Sequence, residues 1–175
     1  MKIKTLKIIG TVIALILPFP LHFLYDLIPN FVTSIFLPVN ESIWEHMKIL
    51  FGSIILSGVI QKIISIVKKE KINNICFSNF IAAISSIPIF LILFLPVYYI
   101  IGENMIITII IMFITIIISE MISYKIINMN NFKLENKTIM FVIIVYILFG
   151  ILTYNPIKID LFKDPKNNTY GIKEE

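Results

Sequence analysis

The stretch "MIITIIIMFITIIISEMISYKII", residues 105–127, decides what kind of fold this chain can adopt. Its only charged side chains are Glu120 and Lys125. As an α-helix the run would be about 35 Å long, enough to cross the roughly 30 Å hydrocarbon core of a bilayer. Four further apolar runs have spanning length: Ile8–Ile28, Trp44–Val67, Phe77–Ile101 and Thr138–Tyr154. The expected fold is therefore all-α. Residues 1–154 would form an integral membrane bundle of about five transmembrane helices, and residues 155–175 an ordered extracytoplasmic tail.

Composition agrees. Of 175 residues, 58% are hydrophobic and 15% charged, against about 25% charged in ordinary soluble domains. The mean hydropathy is +0.92. A soluble fold of this size could not hide so much apolar surface, so the lipid bilayer is the expected solvent and first partner. The net charge of +4 comes from lysines flanking the apolar runs. That pattern belongs to membrane orientation and excludes a nucleic-acid-binding reading. All 15 basic residues are Lys. With the abundance of Ile, Asn, Phe and Tyr, this points to an AT-rich, bacterial genome and hence a bacterial cell membrane. In that setting the Asn-x-Ser/Thr triplets at Asn40, Asn136 and Asn167 carry no meaning. The single cysteine, Cys76, excludes an intrachain disulfide and a multi-cysteine metal site. No motif names a cofactor.

The lysines set the expected orientation. Lys2, Lys4 and Lys7 precede the first run; Lys68, Lys69 and Lys71 follow the second; Lys125, Lys133 and Lys137 separate the fourth from the fifth. The alternate connections carry Asp26, Glu41 and Glu45, then Glu103. The positive-inside rule places the amino terminus in the cytoplasm and the carboxyl terminus outside. The first run follows "MKIKTLK" as a signal peptide would, but it lacks a small-residue cleavage site and more spans follow, so it reads as a retained signal anchor.

Against this background "PVNESIWEHMK", residues 38–48, is conspicuously polar. Ser42 and Glu45 have capping-box spacing, Trp44 suits a lipid boundary, and acidic groups favour a helix's first turn. His46 is left unexplained by these roles. Residues four apart share a helix face, which would align Glu41 with Glu45, Ser42 with His46, and, on the first helix, His22 with Asp26. A short hairpin through "LIPNFVTSIFLP" would bring both helix ends to one level. His22, Asp26, Glu41, Glu45 and His46 are accordingly the candidate catalytic residues, able to run acid–base chemistry. His22, Asp26, Glu45 and His46 are the candidate metal ligands. No dense ligand motif such as His-Glu-x-x-His is present, so helix entry is the leading reading and the site the alternative.

Two intramembrane features also carry expectations. Pro18 and Pro20 remove amide donors and free the carbonyls of Ala14 and Ile16, which predicts a kinked first span. Glu120 is costly at its depth; Gln61, at similar depth on the second helix, is its expected partner. A proton or cation path through Glu120 is the competing reading.

"HFLYDLIPN", "FLPVNESIWEHMKILF" and the tail "LFKDPKNNTYGI" together resemble a family of small bacterial membrane proteins catalogued as domain of unknown function 6512. The resemblance covers essentially the whole chain. It marks His22, Tyr25, Asp26, Asn40, Glu41, Ser42, Trp44, Glu45, His46 and Lys48, with Phe162, Asp164, Pro165, Tyr170 and Gly171 in the tail. It implies a multi-span membrane protein and no particular activity. The chain departs from the family's Tyr-Pro-Pro at Tyr154-Asn155-Pro156, and from its Gln at Glu120, which weakens an essential acid role there. The turn-forming "DPKNNTYG" predicts a tail folded over the outer ends of the first two helices. The expected function is an integral membrane protein whose outer-face motif is structural or binds a protein partner or small ligand. The alternative is a membrane-embedded, metal-dependent enzyme acting on lipid or envelope material. A solute or ion carrier is disfavoured by the scarcity of polar residues through the bilayer centre.

Overall fold

The computed structural model describes residues 2–172, and the described residues form an all-helical bundle. Its helices are α1 (Ile3–Ile16), α2 (Pro18–Leu27), α3 (Phe31–Phe36), α4 (Ile43–Val67), α5 (Ile75–Ile101), α6 (Met105–Ile127) and α7 (Glu135–Tyr154). A single 3₁₀ turn, Asp160–Phe162, interrupts the tail. Helices α4 to α7 are each long and apolar enough to cross a membrane, and α1 with α2 makes a fifth span if the bent pair counts as one.

The bend is 41°. Pro18 takes the first position of α2, where its missing amide costs least. The expected kink is therefore a break at Leu17, whose amide still donates to the Ile13 carbonyl at 3.0 Å. The expected hairpin after this span is instead built around α3. Asn30 and Thr33 cap α3 reciprocally, each side chain accepting from the other residue's amide. The core runs between α4 and its neighbours, with Phe51, Ile54, Ala82, Ala83, Phe90, Ile116 and Phe149 buried.

The end of the bundle where α1 begins corrects one sequence expectation. Glu120 pairs with Lys7, Nζ to Oε2 at 2.6 Å, and not with Gln61. The Lys7 ammonium also donates to Asn79 Oδ1 (2.8 Å) and Ser123 Oγ (2.7 Å). Gln61 donates to Ser57 Oγ and Asn79 Oδ1. Lys7 is thus withdrawn from the flanking lysines and buried in a layer joining α1, α4, α5 and α6. Spacing could not reveal this pair, because a long lysine side chain can reach inward along its own helix as easily as outward. Two glycines let the helices approach: a Cβ on Gly10 would lie 2.0 Å from Gln61 Nε2, and one on Gly58 2.7 Å from Asn79 Cβ.

At the other end the tail is clamped. Asp164 accepts from the Lys166 amide (2.9 Å) and Asn167 Nδ2 (2.6 Å), and the backbone of Lys163 bridges to Tyr170. Asn40 Nδ2 donates to the Gly171 carbonyl at 2.8 Å. Gly171 has φ +66°, and a Cβ there would meet the Thr153 carbonyl at 2.6 Å. Only glycine combines that backbone with that approach.

Candidate functional site

The motif segment divides into two halves facing different ways. The helix begins at Ile43, so Glu41 lies before its first turn and the four-residue spacing between Glu41 and Glu45 does not put them on one face. Ser42 is the N-cap, accepting from the Glu45 amide at 3.3 Å. The reciprocal half of the expected capping box is absent: the Ser42 amide donates to Asn40 Oδ1 at 2.8 Å. Glu45 turns inward, where its carboxylate takes Lys48 Nζ at 2.7 Å, the Thr153 hydroxyl at 2.8 Å and the Val39 amide at 3.0 Å. Lys48 donates onward to the Ser34 carbonyl at 2.8 Å. This buried pair ties α3, α4 and α7 together and is satisfied on both sides, as a buried charge pair must be.

Trp44 is turned onto the tail. Its ring packs on Phe162 and Phe149, with centroids at 4.8 and 5.2 Å, and so docks the tail onto α4 and α7.

The other half of the motif faces a cavity. Glu41 lies 3.6 Å from His22 Nε2 through Oε1 and 3.6 Å from His46 Nε2 through Oε2. The two imidazoles are 5.4 Å apart at their centroids. His46 Nδ1 is 2.9 Å from the Ser42 carbonyl, which fixes the ring and assigns its proton to Nδ1. Lys166, on the tail, caps the cluster with its ammonium 2.9 Å from Glu41 Oε1. The neighbouring His22 imidazole, with help from Lys166 and His46, holds the Glu41 carboxyl down to about 2 despite its partial burial. Glu41 in turn raises the Lys166 ammonium above its ordinary value.

The cavity behind this cluster has a volume of about 410 Å³, within the roughly 300–1,000 Å³ of small-molecule sites. Its walls are Phe19 and Phe23 of α2, Phe90, Phe94 and Tyr98 of α5, and Thr108 and Met112 of α6. Lys163, Pro165 and Lys166 of the tail line its remaining edge. It is an apolar chamber with ionisable groups gathered at one end. A second concavity between α3 and α7, about 500 Å³, is lined by Phe31, Ile35, Tyr146, Ile147 and neighbouring residues. It holds no titratable group other than tyrosine and has no comparable chemistry.

Of the candidate residues, the structure brings His22, Glu41 and His46 together, with ligating atoms all within 4.8 Å of one another. Among the described residues, these three form the one group of His, Cys, Asp or Glu side chains whose donor atoms converge closely enough to hold a metal ion. Glu45 is committed to Lys48 and Thr153, and Asp26 sits exposed at the end of α2. Lys166, Glu103 and the aromatic walls were not among the sequence candidates. The tail's turn residues signalled that something lies over the helix ends, but nothing in the spacing said which side chain would land on Glu41.

The chain belongs to the family described as "Family of unknown function (DUF6512)", whose model matches residues 1–172. No curated protein and no solved structure matches it.

Proposed function

We propose that this protein binds a single-chain amphiphile in the cavity between α2, α4, α5 and α6, with the ligand's polar end at His22, Glu41 and His46. The observation that carries the reading is the 410 Å³ chamber itself, aromatic along its walls and ionisable only at its tail-covered end. An apolar chain gains by displacing poorly bound water from Phe90, Phe94 and Met112, while a few convergent polar groups fix the orientation of its head. The rest of the motif is structural in this reading: Asn40, Ser42, Trp44, Glu45 and Lys48 start α4 and dock the tail and α7. The lysine asymmetry supports a multi-pass arrangement in the cell membrane, with the amino terminus inside and the cavity at the outer face.

Hydrolytic or acid–base chemistry on the bound amphiphile is the second reading. It is favoured by the fixed ring of His46, whose Nε2 is left as an acceptor beside the chamber.

A fluorescent single-chain fatty acid added to the purified protein should bind saturably and at one equivalent. Met112→Trp, which fills the chamber from α6, should weaken that binding at least about tenfold, the equivalent of roughly 1.4 kcal/mol. Equal binding by the wild type and Met112→Trp would place the amphiphile on the outer surface of the bundle and end the reading.

A further inference from the structure

We infer that His22, Glu41 and His46 form a binding site for one divalent transition-metal ion of the zinc class, open on its fourth side to the cavity. Two imidazoles and a carboxylate are a common donor set for zinc in sites that keep an exchangeable position. Ligands held 2.0–2.1 Å from a tetrahedral ion lie about 3.3 Å apart. The two nitrogen–oxygen separations of 3.6 Å run to different oxygens of Glu41, and one donor atom from each residue lies within 4.8 Å of the other two. Side-chain motion of up to about 1.5 Å would therefore close the shell.

The tautomer of His46 adds an independent argument. Its Nδ1–H is spent on the Ser42 carbonyl at 2.9 Å, the outer contact that commonly orients a metal-bound histidine. The lone pair of neutral Nε2 is thereby aimed at a carboxylate oxygen 3.6 Å away. Two acceptors facing each other are satisfied only through a shared hydrogen-bond donor or a cation. At neutral pH either a proton or a metal ion can serve, and the second imidazole converging on the same carboxylate favours the ion that three donors can share.

The competing cation is Lys166. Its ammonium occupies one edge of Glu41 at 2.9 Å, but its side chain is 62% exposed and can swing into water. The tail thus brings a tethered positive charge to the place where the metal's own charge would act. Metal entry would release Lys166, and with it part of the tail's hold on the cavity mouth. Asp26 and Glu45 take no part in this site, and Glu103 lies on the cavity wall outside the three-donor set.

The inference builds on the cavity reading only for the open fourth position; the three donors stand without it. Purified protein, stripped with chelator and incubated with Zn²⁺ or Co²⁺, should retain one equivalent after gel filtration. The Co²⁺ form should show the intense visible bands of a tetrahedral ion with nitrogen and oxygen donors. His46→Ala and the near-isosteric Glu41→Gln should each weaken Zn²⁺ binding at least about tenfold, the lower end of the effect of disturbing a metal shell. Lys166→Ala should leave the stoichiometry at one and tighten binding. Met112→Trp should weaken fatty-acid binding with the metal retained, so failure of the two readings would be told apart. Wild type that retains no Zn²⁺ or Co²⁺ after gel filtration, or a Co²⁺ spectrum of an octahedral hydrated ion, would overturn the site without reliance on any variant's folding.

Discussion

At the scale of single residues, the polar motif shows how one sequence segment serves two masters. Glu41 and His46 look into the cavity, while Glu45 and Lys48 are fully buried on the opposite side of the same helix start. Their energetics differ accordingly. Breaking a buried pair by removing one partner leaves an uncompensated charge and costs roughly 3–5 kcal/mol, whereas replacing both by apolar groups is often near neutral. Lys48→Met should therefore lower the thermal midpoint of the detergent-solubilised protein sharply, and adding Glu45→Leu should recover much of it. A loss in Lys48→Met no larger than that of an exposed lysine substitution would contradict the buried assignment. The motif's importance was legible from the residues, but its division was not. The i, i+4 rule presupposes that both residues are helical, and Glu41 lies before the helix. His46 Nδ1 bonds the backbone carbonyl of Ser42, the N-cap before the helix, and not its side chain, so this contact is a capping-turn bond and no instance of the rule.

At the scale of elements, hydropathy was a sufficient guide to α4 through α7, because lipid demands long apolar helices and little else satisfies the backbone there. Helix α3 escaped that logic. It is six residues long, too short to show periodicity, and its signal was the reciprocal cap of Asn30 and Thr33 within a stretch read as connection. The break at Leu17 was legible in Pro18 and Pro20. The closeness of α1 to α4 was not, since a glycine in an apolar run is not by itself a contact. That contact is testable. A methyl group at Gly10 would overlap the Gln61 amide, itself bonded to Ser57 and Asn79. Gly10→Ala should destabilise the bundle by roughly 1–3 kcal/mol, the usual cost of overpacking. Gly10→Ala combined with Gln61→Ala should lose less than the sum of the two. Strict additivity in thermal unfolding would mean that the helices do not meet there.

For the whole molecule, the expectation of an all-helical, lipid-suited bundle followed from the five apolar runs together with the composition, and the described helices have that form. The tail's order was foreshadowed by Asp164, Pro165 and the Asn167-Asn168 turn. Its landing place on Glu41 and Trp44 depends on contacts more than a hundred residues apart in sequence, which no local pattern encodes. The proposed orientation puts this tail outside and the connection between α4 and α5 inside. With Cys76 replaced by Ser, Asn167→Cys should react with an impermeant thiol reagent in intact cells and Asn73→Cys should react only after lysis; both positions are exposed. The reverse pattern would invert the protein.

The layer around Lys7 also has a consequence in time. Lys48 finds its carboxylate three residues away, as soon as its own helix forms. Lys7 depends on partners 72 and 116 residues further along the chain. At about 5–20 residues per second, the last of them emerges roughly 6–23 s after the lysine itself. Until then the opening helix carries a charge that hydrocarbon does not tolerate. It must wait at the insertion machinery or at the wet margin of the bilayer, and take its final depth only when α6 arrives. Helix α1 is in this sense made before α5 and α6 but seated only with them.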